Sequence, residues 1–355
     1  MTLTDTLINS IDKQGMRNLL RGFYRQVNEG VEISKTFPKL YSHNQFNLIV
    51  LSGLGGSAIG GDLVRSYLLD ELKIPLIINR TYTLPKYVNQ NSLVIISSYS
   101  GNTEESIAAY KEAKKRKAKV LCITSGGEVS NLAIKYKDPV ILIPGGLPPR
   151  AALGYSFFPL LFALAKMGFV VIKKKDVVET ISLLQNLSSI YGNLTSEDND
   201  AIQLAAQMKN ALPVIYSSCE KFDAVNIRWR SQINENSKML AYGHTFPELN
   251  HNEIVGWEVN AAIMSQSNIF ILRDDADHER IQLRMDITQD IVSPFAAGIT
   301  EVFARGTSLL ARIFSLVHLG DWISFYLAMM HKIDPTPVTK IDYLKTELGK
   351  IQTKN

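Results

Sequence analysis

The stretch SLVIISSYSGNTEES, residues 92–106, joins an apolar run to a cluster of small polar residues. Residues 93–96 do not alternate with polar residues, which is typical of a strand buried on both faces of a sheet. The charged, periodic residues 104–117 predict a helix. Three hydroxyl side chains crowd the turn between strand and helix: Ser98, Ser100 and Thr103.

The same order of apolar run, turn and amphipathic stretch recurs along the chain. It predicts a parallel, doubly wound sheet, since consecutive parallel strands need helical crossovers. Strands are predicted at residues 47–53, 74–79, 92–98, 118–125 and 138–144, and in the second half at 212–218 and 267–273. The predicted fold class is therefore α/β, with two doubly wound, mainly parallel domains in α/β/α sandwiches.

The composition changes near residue 173 from apolar to polar and charged, which predicts a domain boundary there. Residues 173–200 are polar, charged and periodic, which predicts a linker helix ending in a loop. We expect an N-terminal domain over 1–172 and a C-terminal domain over 201–355, and an internal duplication of one α/β unit is plausible. Two long apolar stretches, 154–172 and 308–330, are interrupted by charged residues or proline and favour buried helices over membrane spans.

Composition limits the class of partner. The 355-residue chain has a formal net charge of +4, an excess too small to indicate nucleic-acid binding. Its cysteines, Cys122 and Cys219, form no CxxC pair, so the reducing cytoplasm is the default location. The acid-containing N-terminus does not resemble a signal peptide.

A glycine-rich turn, SGLGGSAIGG at residues 52–61, follows the first strand. Glycines allow close approach of backbone N–H groups to an anion at a helix start. Gly53, Gly55 and Ala58 also satisfy the dinucleotide fingerprint GxGxxA, so a nicotinamide enzyme is an alternative. The second strand ends in Arg80 rather than in the acid that would hold a ribose, although Arg80 could meet a 2′-phosphate.

The crowded hydroxyls of residues 98–103 favour a phosphate monoester. An ordinary N-cap needs one such residue, whereas three phosphate oxygens need several donors, which hydroxyls and helix-start N–H groups supply together. A dinucleotide enzyme has no need for this second polar turn.

These two turns, in this order and followed by ITSGGEVSNLA (123–133), resemble the sugar isomerase (SIS) domain. Four later motifs narrow the resemblance to the bifunctional phosphoglucose/phosphomannose isomerase family, over nearly the whole chain. They are PPRAALGY (148–155), NENSK (234–238), PELNHNEIVGW (247–257) and DPTPVTKIDYLKTEL (334–348).

The resemblance implies metal-independent aldose–ketose isomerisation of hexose 6-phosphates through a cis-enediolate. It implies that the phosphate is bound among Ser57, Ser98, Ser100 and Thr103, and that Gly56 contributes to substrate binding. Carboxylate chemistry alone leaves Glu235 and Glu248 as rival bases, and the resemblance favours Glu235. It further implies that Arg150 stabilises the enediolate, that Lys345 and His251 open the ring, and that Thr336 shapes the room around C2. His251 would complete the site of the neighbouring subunit in a homodimer.

No cofactor or metal is expected. The six histidines show no HxxxH spacing, and only His244 and His251 with Glu248 give a weak metal signal. Three alternatives stay open at this point: a non-catalytic SIS-type sensor of phosphosugars, an NAD(P)-dependent dehydrogenase and an aminosugar isomerase.

Overall fold

The computed structural model describes residues 3–351. Its first sheet is parallel throughout, in the order β2-β1-β3-β4-β5. The strands are β1 (Leu48–Ser52), β2 (Leu76–Asn79), β3 (Ser92–Ser97), β4 (Lys119–Thr124) and β5 (Val140–Leu142). All five strands predicted in this half are present, and the strand order is that of a flavodoxin-like, doubly wound fold.

Helices cover both faces of this sheet. In the first half they are α1 (Asp5–Ile11), α2 (Met16–Arg21), α3 (Phe23–Ile33), α4 (Gly55–Tyr67), α5 (Glu104–Lys115), α6 (Gly127–Tyr136) and α7 (Leu153–Met167). Alternate residues of β1 point to opposite cores: Val50 packs with α5 and α6, and Ile49 and Leu51 pack with α4 and α7. Burial on both faces explains the unbroken apolar runs of the sequence.

The second sheet repeats the arrangement in the order β7-β6-β8-β9, again parallel. Its strands are β6 (Leu212–Ser218), β7 (Tyr242–Phe246), β8 (Ser267–Arg273) and β9 (Gly298–Phe303). The strands β7 and β9 were not predicted. Both lie at edges of the sheet and are only partly buried, so they lack the continuous apolar run that identifies the central strands.

The helices of the second half are α8 (Lys174–Tyr191), α9 (Asp200–Met208), α10 (Asp223–Gln232), α11 (Ala261–Met264), α12 (Glu279–Val292), α13 (Leu309–Met330) and α14 (Thr339–Gly349). α13 is long and apolar enough to cross a membrane, and its apolar window is completely buried inside the protein. α7 is also buried, as expected for both long apolar stretches.

One apolar core lies between the two sheets. It combines Leu51 of β1, Phe157 of α7, Phe270 of β8 and Phe314 of α13. The rings of Phe157 and Phe314 meet edge to face with centroids 4.8 Å apart, a favourable aromatic geometry. Because this core spans both halves, α7 and α13 fix one sheet against the other. The domain limits 1–172, 173–200 and 201–355 remain a proposal, with α8 in the expected linker.

Candidate active site

The carboxyl edge of the first sheet holds two helix starts that no side chain caps. α4 begins after Leu54 and α5 after Thr103, and neither N-cap residue donates or accepts a capping side-chain bond. By contrast, Thr4, Asn199 and Ser308 cap the starts of α1, α9 and α13. Uncapped N–H groups with a favourable helix dipole make this edge suited to an anion.

Hydroxyl side chains connect the two turns at this edge. Ser57, in the first turn of α4, accepts a hydrogen bond from the backbone N–H of Tyr99 at 3.1 Å. Ser98 donates to the hydroxyl of Thr103 at 3.1 Å, and exposed Ser100 accepts from the N–H of Asn102 at 3.3 Å. The structure therefore brings all four predicted hydroxyl residues to one edge of the sheet.

Gly56 allows the glycine-rich turn to reach Arg150. A Cβ atom added to Gly56 would lie 2.5 Å from the carbonyl oxygen of Pro149, a distance that no real side chain tolerates. The close backbone approach places the start of α4 directly against the one-turn 3₁₀ helix Pro149–Ala151.

Arg150 is the centre of a buried hydrogen-bond network, with only 5% of its surface exposed. Its Nε donates to Oδ1 of Asn236 at 2.6 Å, and its Nη2 donates to the carbonyls of Pro335 and Thr336, both at 2.8 Å. Its Nη1 lies 3.4 Å from Oε2 of Glu235. Burial lowers the pKa of the guanidinium from its ordinary value, and the carboxylate of Glu235 opposes that shift.

Glu235 lies in a π-helical turn, Ile233–Ser237, that continues α10. Such turns are rare and occur frequently at functional sites. The next residue, Lys238, ends the turn with a left-handed backbone (φ 57°), an uncommon conformation outside glycine. The widened turn directs Glu235 towards Arg150, with 31% of its side chain still accessible to solvent.

Lys238 ties this turn to the segment before α14. Its Nζ donates to the carbonyl of Glu235 and, at 3.1 Å, to the carbonyl of Pro335. Burial and the nearby charge of Arg150 lower the pKa of Lys238. Pro335 thus accepts hydrogen bonds from both cations of the site.

Thr336 lies in the same segment and is 8% exposed. Its backbone N–H donates to Asp334 at 3.0 Å and its carbonyl accepts from Arg150, but its hydroxyl is buried without a partner among the described residues. A buried, unpartnered hydroxyl beside Arg150 is suited to receive a polar group of a ligand.

Among the described residues, no hydrogen bond or ion pair links Glu248, His251 or Lys345 to Arg150 or Glu235. Glu248 accepts from Asn252 at 2.9 Å in the 3₁₀ helix Glu248–His251. His251 at the end of that helix is exposed, and so is Lys345 on α14, a helix with no buried residue. Arg150 therefore pairs with Glu235 and not with Glu248, the other candidate base.

The side chain of Arg80, considered above for a 2′-phosphate, forms an ion pair with buried Asp62 instead. The fingerprint residue Gly53 has a packing role, because a Cβ atom there would lie 2.6 Å from the carbonyl of Ser97. Within residues 3–351, no group of three or more His, Cys, Asp or Glu side chains is arranged to hold a metal ion.

Sequence reasoning missed three residues of the network: Asn236, Lys238 and Pro335. Asn236 and Lys238 stand within the NENSK motif, so their position beside Glu235 was the available signal. No local pattern indicated that the Pro335 carbonyl would meet Arg150, from which it is 185 residues distant in the chain.

Family models match both halves of the chain. The SIS domain family matches residues 45–144, and the family of bacterial phospho-glucose isomerase C-terminal SIS domains matches residues 197–348. Among solved structures, a hypothetical protein from Thermus thermophilus superposes with a TM-score of 0.75 at 13% identity, covering 97% of this chain and 92% of that one. The C-terminal domain of glucosamine-fructose-6-phosphate aminotransferase from Francisella tularensis superposes with a TM-score of 0.70 at 15% identity, covering 91% and 98%. Fold and site thus define a protein built from two SIS-type domains.

Full-length relatives give the family. A bifunctional phosphoglucose/phosphomannose isomerase from Caldicellulosiruptor bescii is 45% identical over 92% of this chain and 97% of its own length. A bifunctional phosphoglucose/phosphomannose isomerase from Thermoplasma acidophilum is 36% identical over 86% of this chain and 90% of its own. The chain belongs to the bifunctional phosphoglucose/phosphomannose isomerase family and is an isomerase of carbohydrate metabolism.

Proposed function

We propose that this isomerase interconverts glucose 6-phosphate and fructose 6-phosphate, and also accepts mannose 6-phosphate, without a metal ion. The observation that carries the proposal is the pair formed by Glu235 and Arg150, 3.4 Å apart, beside Gly56 and the uncapped start of α4. A base and a cation next to an anion-binding edge fit proton transfer in a phosphorylated sugar.

In the proposed reaction the phosphate is bound by Gly56, Ser57, Ser98, Ser100 and Thr103. Glu235 takes the proton from C2 of the open-chain aldose and returns it to C1 of the cis-enediolate, while the hydroxyl proton of O2 passes to O1, so that a carbonyl forms at C2 and the product is the ketose. Arg150 stabilises the negative oxygen that develops between these two steps. The unpartnered hydroxyl of Thr336 contacts the substrate near C2, where glucose and mannose differ.

Ring opening requires two further groups, His251 and Lys345, and a second subunit. Both side chains are exposed, and the same two segments of the chain have exposed apolar side chains: Val255, Val259, Ile341 and Leu344. A cytoplasmic homodimer that covers these side chains would place His251 of one copy in the site of the other.

The test is turnover of glucose 6-phosphate to fructose 6-phosphate by purified protein in the presence of a chelator. We expect wild-type turnover to survive chelation and Glu235→Gln to lose at least about a hundredfold in kcat, the low end of general-base contributions. Glu248→Gln is the matched control and should retain turnover within about threefold.

Two outcomes would oppose the proposal. Binding of glucose 6-phosphate without turnover would indicate a phosphosugar sensor. Loss of activity in Glu248→Gln, with activity retained in Glu235→Gln, would move the base to Glu248.

A further inference from the structure

We propose that Asn236 is a positioning residue that fixes the orientation of the Arg150 guanidinium, so that only its Nη1 edge faces the reacting carbons. The inference rests on the proposed function, in which Arg150 stabilises the enediolate. Asn236 has no exposed surface, and its Oδ1 accepts from Nε of Arg150 at 2.6 Å.

The orientation of the Asn236 amide follows from its partners. Arg150 can only donate hydrogen bonds, so the amide oxygen must face it. The amide nitrogen then donates to Oγ of Ser324 at 2.9 Å, and that hydroxyl donates to the carbonyl of Asp321 at 2.7 Å, both within α13. Asn236 is therefore held from the side opposite to Arg150 by the central buried helix.

A count of the N–H donors of Arg150 shows how the Asn236 contact orients the guanidinium. A guanidinium has five N–H groups. One binds Asn236 and two bind the carbonyls of Pro335 and Thr336, while the remaining two belong to Nη1, next to Glu235. Without the Asn236 contact, the Nε side of the Arg150 guanidinium has no hydrogen-bond partner. The guanidinium can then rotate, and its Nη1 no longer has a fixed direction towards the substrate.

The position of Asn236 in the π-helical turn adds a second consequence. It directly follows Glu235, so the base and the residue that orients the cation belong to one rigid turn. Arg228 of α10 supports the same unit: its guanidinium pairs with buried Asp321 at 2.7 Å and donates to the backbone carbonyl of Arg150 at 3.0 Å.

The first experiment compares Asn236→Ala with Ser237→Ala. Ser237 is a matched control, because it is equally buried in the same turn and bonds the carbonyl of Ser324 at 2.7 Å without touching Arg150. We expect both variants to lower the thermal midpoint. Only Asn236→Ala should lower kcat, by about tenfold to a hundredfold with little change in KM, since a misdirected Arg150 loses its charged hydrogen bond to the oxygen that becomes negative in the transition state. Asn236→Asp, which keeps an acceptor at Nε, should recover most of that loss.

A double-mutant cycle tests whether Asn236 acts through Arg150. If it does, adding Asn236→Ala to Arg150→Lys should slow turnover by less than about twofold beyond Arg150→Lys alone. If the losses of kcat in the two single variants multiply in the double variant, or if Asn236→Ala has wild-type kcat, Asn236 has no positioning role. The proposed role of Arg150 would be unaffected by either result. A wild-type rate for Arg150→Lys would instead remove the guanidinium of Arg150 from the mechanism, and with it the positioning role of Asn236, while the proposed isomerisation would stand. Should Asn236→Ala not fold, Ser324→Ala removes the support of Asn236 and should give a smaller loss of the same kind.

Discussion

The carboxylate of Glu235 and the guanidinium of Arg150 lie 3.4 Å apart, although 85 residues separate them in the chain. Arg150 is buried and Glu235 keeps access to solvent through one side. A cation fixed in a low-dielectric setting interacts more strongly with developing charge than one in water. The pair therefore joins a solvent-accessible carboxylate to a fixed, buried cation, as the proposed roles of base and enediolate-stabilising group require.

Removal of the hydroxyls proposed to bind the phosphate should weaken substrate binding more than it slows the reaction. We expect Ser98→Ala and Thr103→Val each to raise KM for glucose 6-phosphate by about tenfold, the scale of one hydrogen bond to a charged group, with kcat nearly unchanged. Steady-state kinetics measures both constants. Ser106→Ala is the control, because Ser106 is buried in α5 and its hydroxyl has no partner among the described residues; an equal rise of KM there would contradict the assignment.

Mixing two inactive variants tests the shared site. Glu235→Gln supplies an intact His251, and His251→Ala supplies an intact Glu235, so one site of a mixed dimer has both groups. Subunit exchange at equal amounts should restore about a quarter of wild-type turnover, because half of the dimers are mixed and each has one complete site. If His251 serves its own subunit, the mixture will stay inactive, and light scattering will establish whether dimers formed.

The exposed lysine of α14 should matter for turnover and not for stability. Lys345→Met is expected to lower kcat/KM for glucose 6-phosphate by about tenfold or more, the general acid–base range, and to leave the thermal midpoint unchanged. Lys340→Met, exposed on the same helix, is the matched control. A normal rate for Lys345→Met together with a slow Lys238→Met would assign ring opening to Lys238, whose ammonium already lies beside Glu235.

A buried histidine makes the stability of the fold depend on pH. His318 of α13 is completely buried, and its Nε2 lies 3.0 Å from Oγ of Ser188 and accepts from Nε1 of Trp322 at 3.1 Å. Burial, with the charge of Arg228, lowers the pKa of His318 to about 3. Between about pH 6.5 and pH 3 this histidine is protonated in the unfolded chain and neutral in the native state. The free energy of unfolding should therefore fall by about 1.4 kcal/mol for each pH unit of acidification because of this group.

Urea unfolding at pH 7 and pH 5 measures this contribution. His318→Asn should show a flatter pH dependence than wild type, whereas His278→Asn, at the exposed N-cap of α12, should not. The comparison between variants is needed because burial raises the pKa of Asp277 to about 6, and that group changes stability in the opposite direction as pH falls. Parallel slopes for His318→Asn and wild type would refute the role of His318.

Much of the first sheet could be predicted because its pattern is local. Unbroken apolar runs located β1, β3 and β4 within one residue and β2 and β5 within two, and polar turns located the edge where α4 and α5 begin. The edge strands β7 and β9 escaped prediction because partial burial leaves them without such a run. The π-helical turn was not predicted, because one extra residue in a helical turn produces no recognisable periodic pattern in the sequence.

The candidate site divides in the same way. The hydroxyl cluster was visible in the sequence as neighbours in one turn, and Glu235 and Arg150 were visible only as members of separate motifs. Asn236 was overlooked since its role depends on a partner 86 residues away. Lys345 and His251 remain predictions, because both side chains are exposed.

The sequence by itself determined the alternation of strands and helices and the polar edge of the first sheet, since hydrophobic periodicity and turn chemistry act over a few residues. Only the tertiary structure decided that Arg150, the turn of Glu235 and the carbonyls of Pro335 and Thr336 would meet. Those contacts exist because both sheets pack on one core around α7 and α13, and packing between distant segments leaves no periodic trace in the chain.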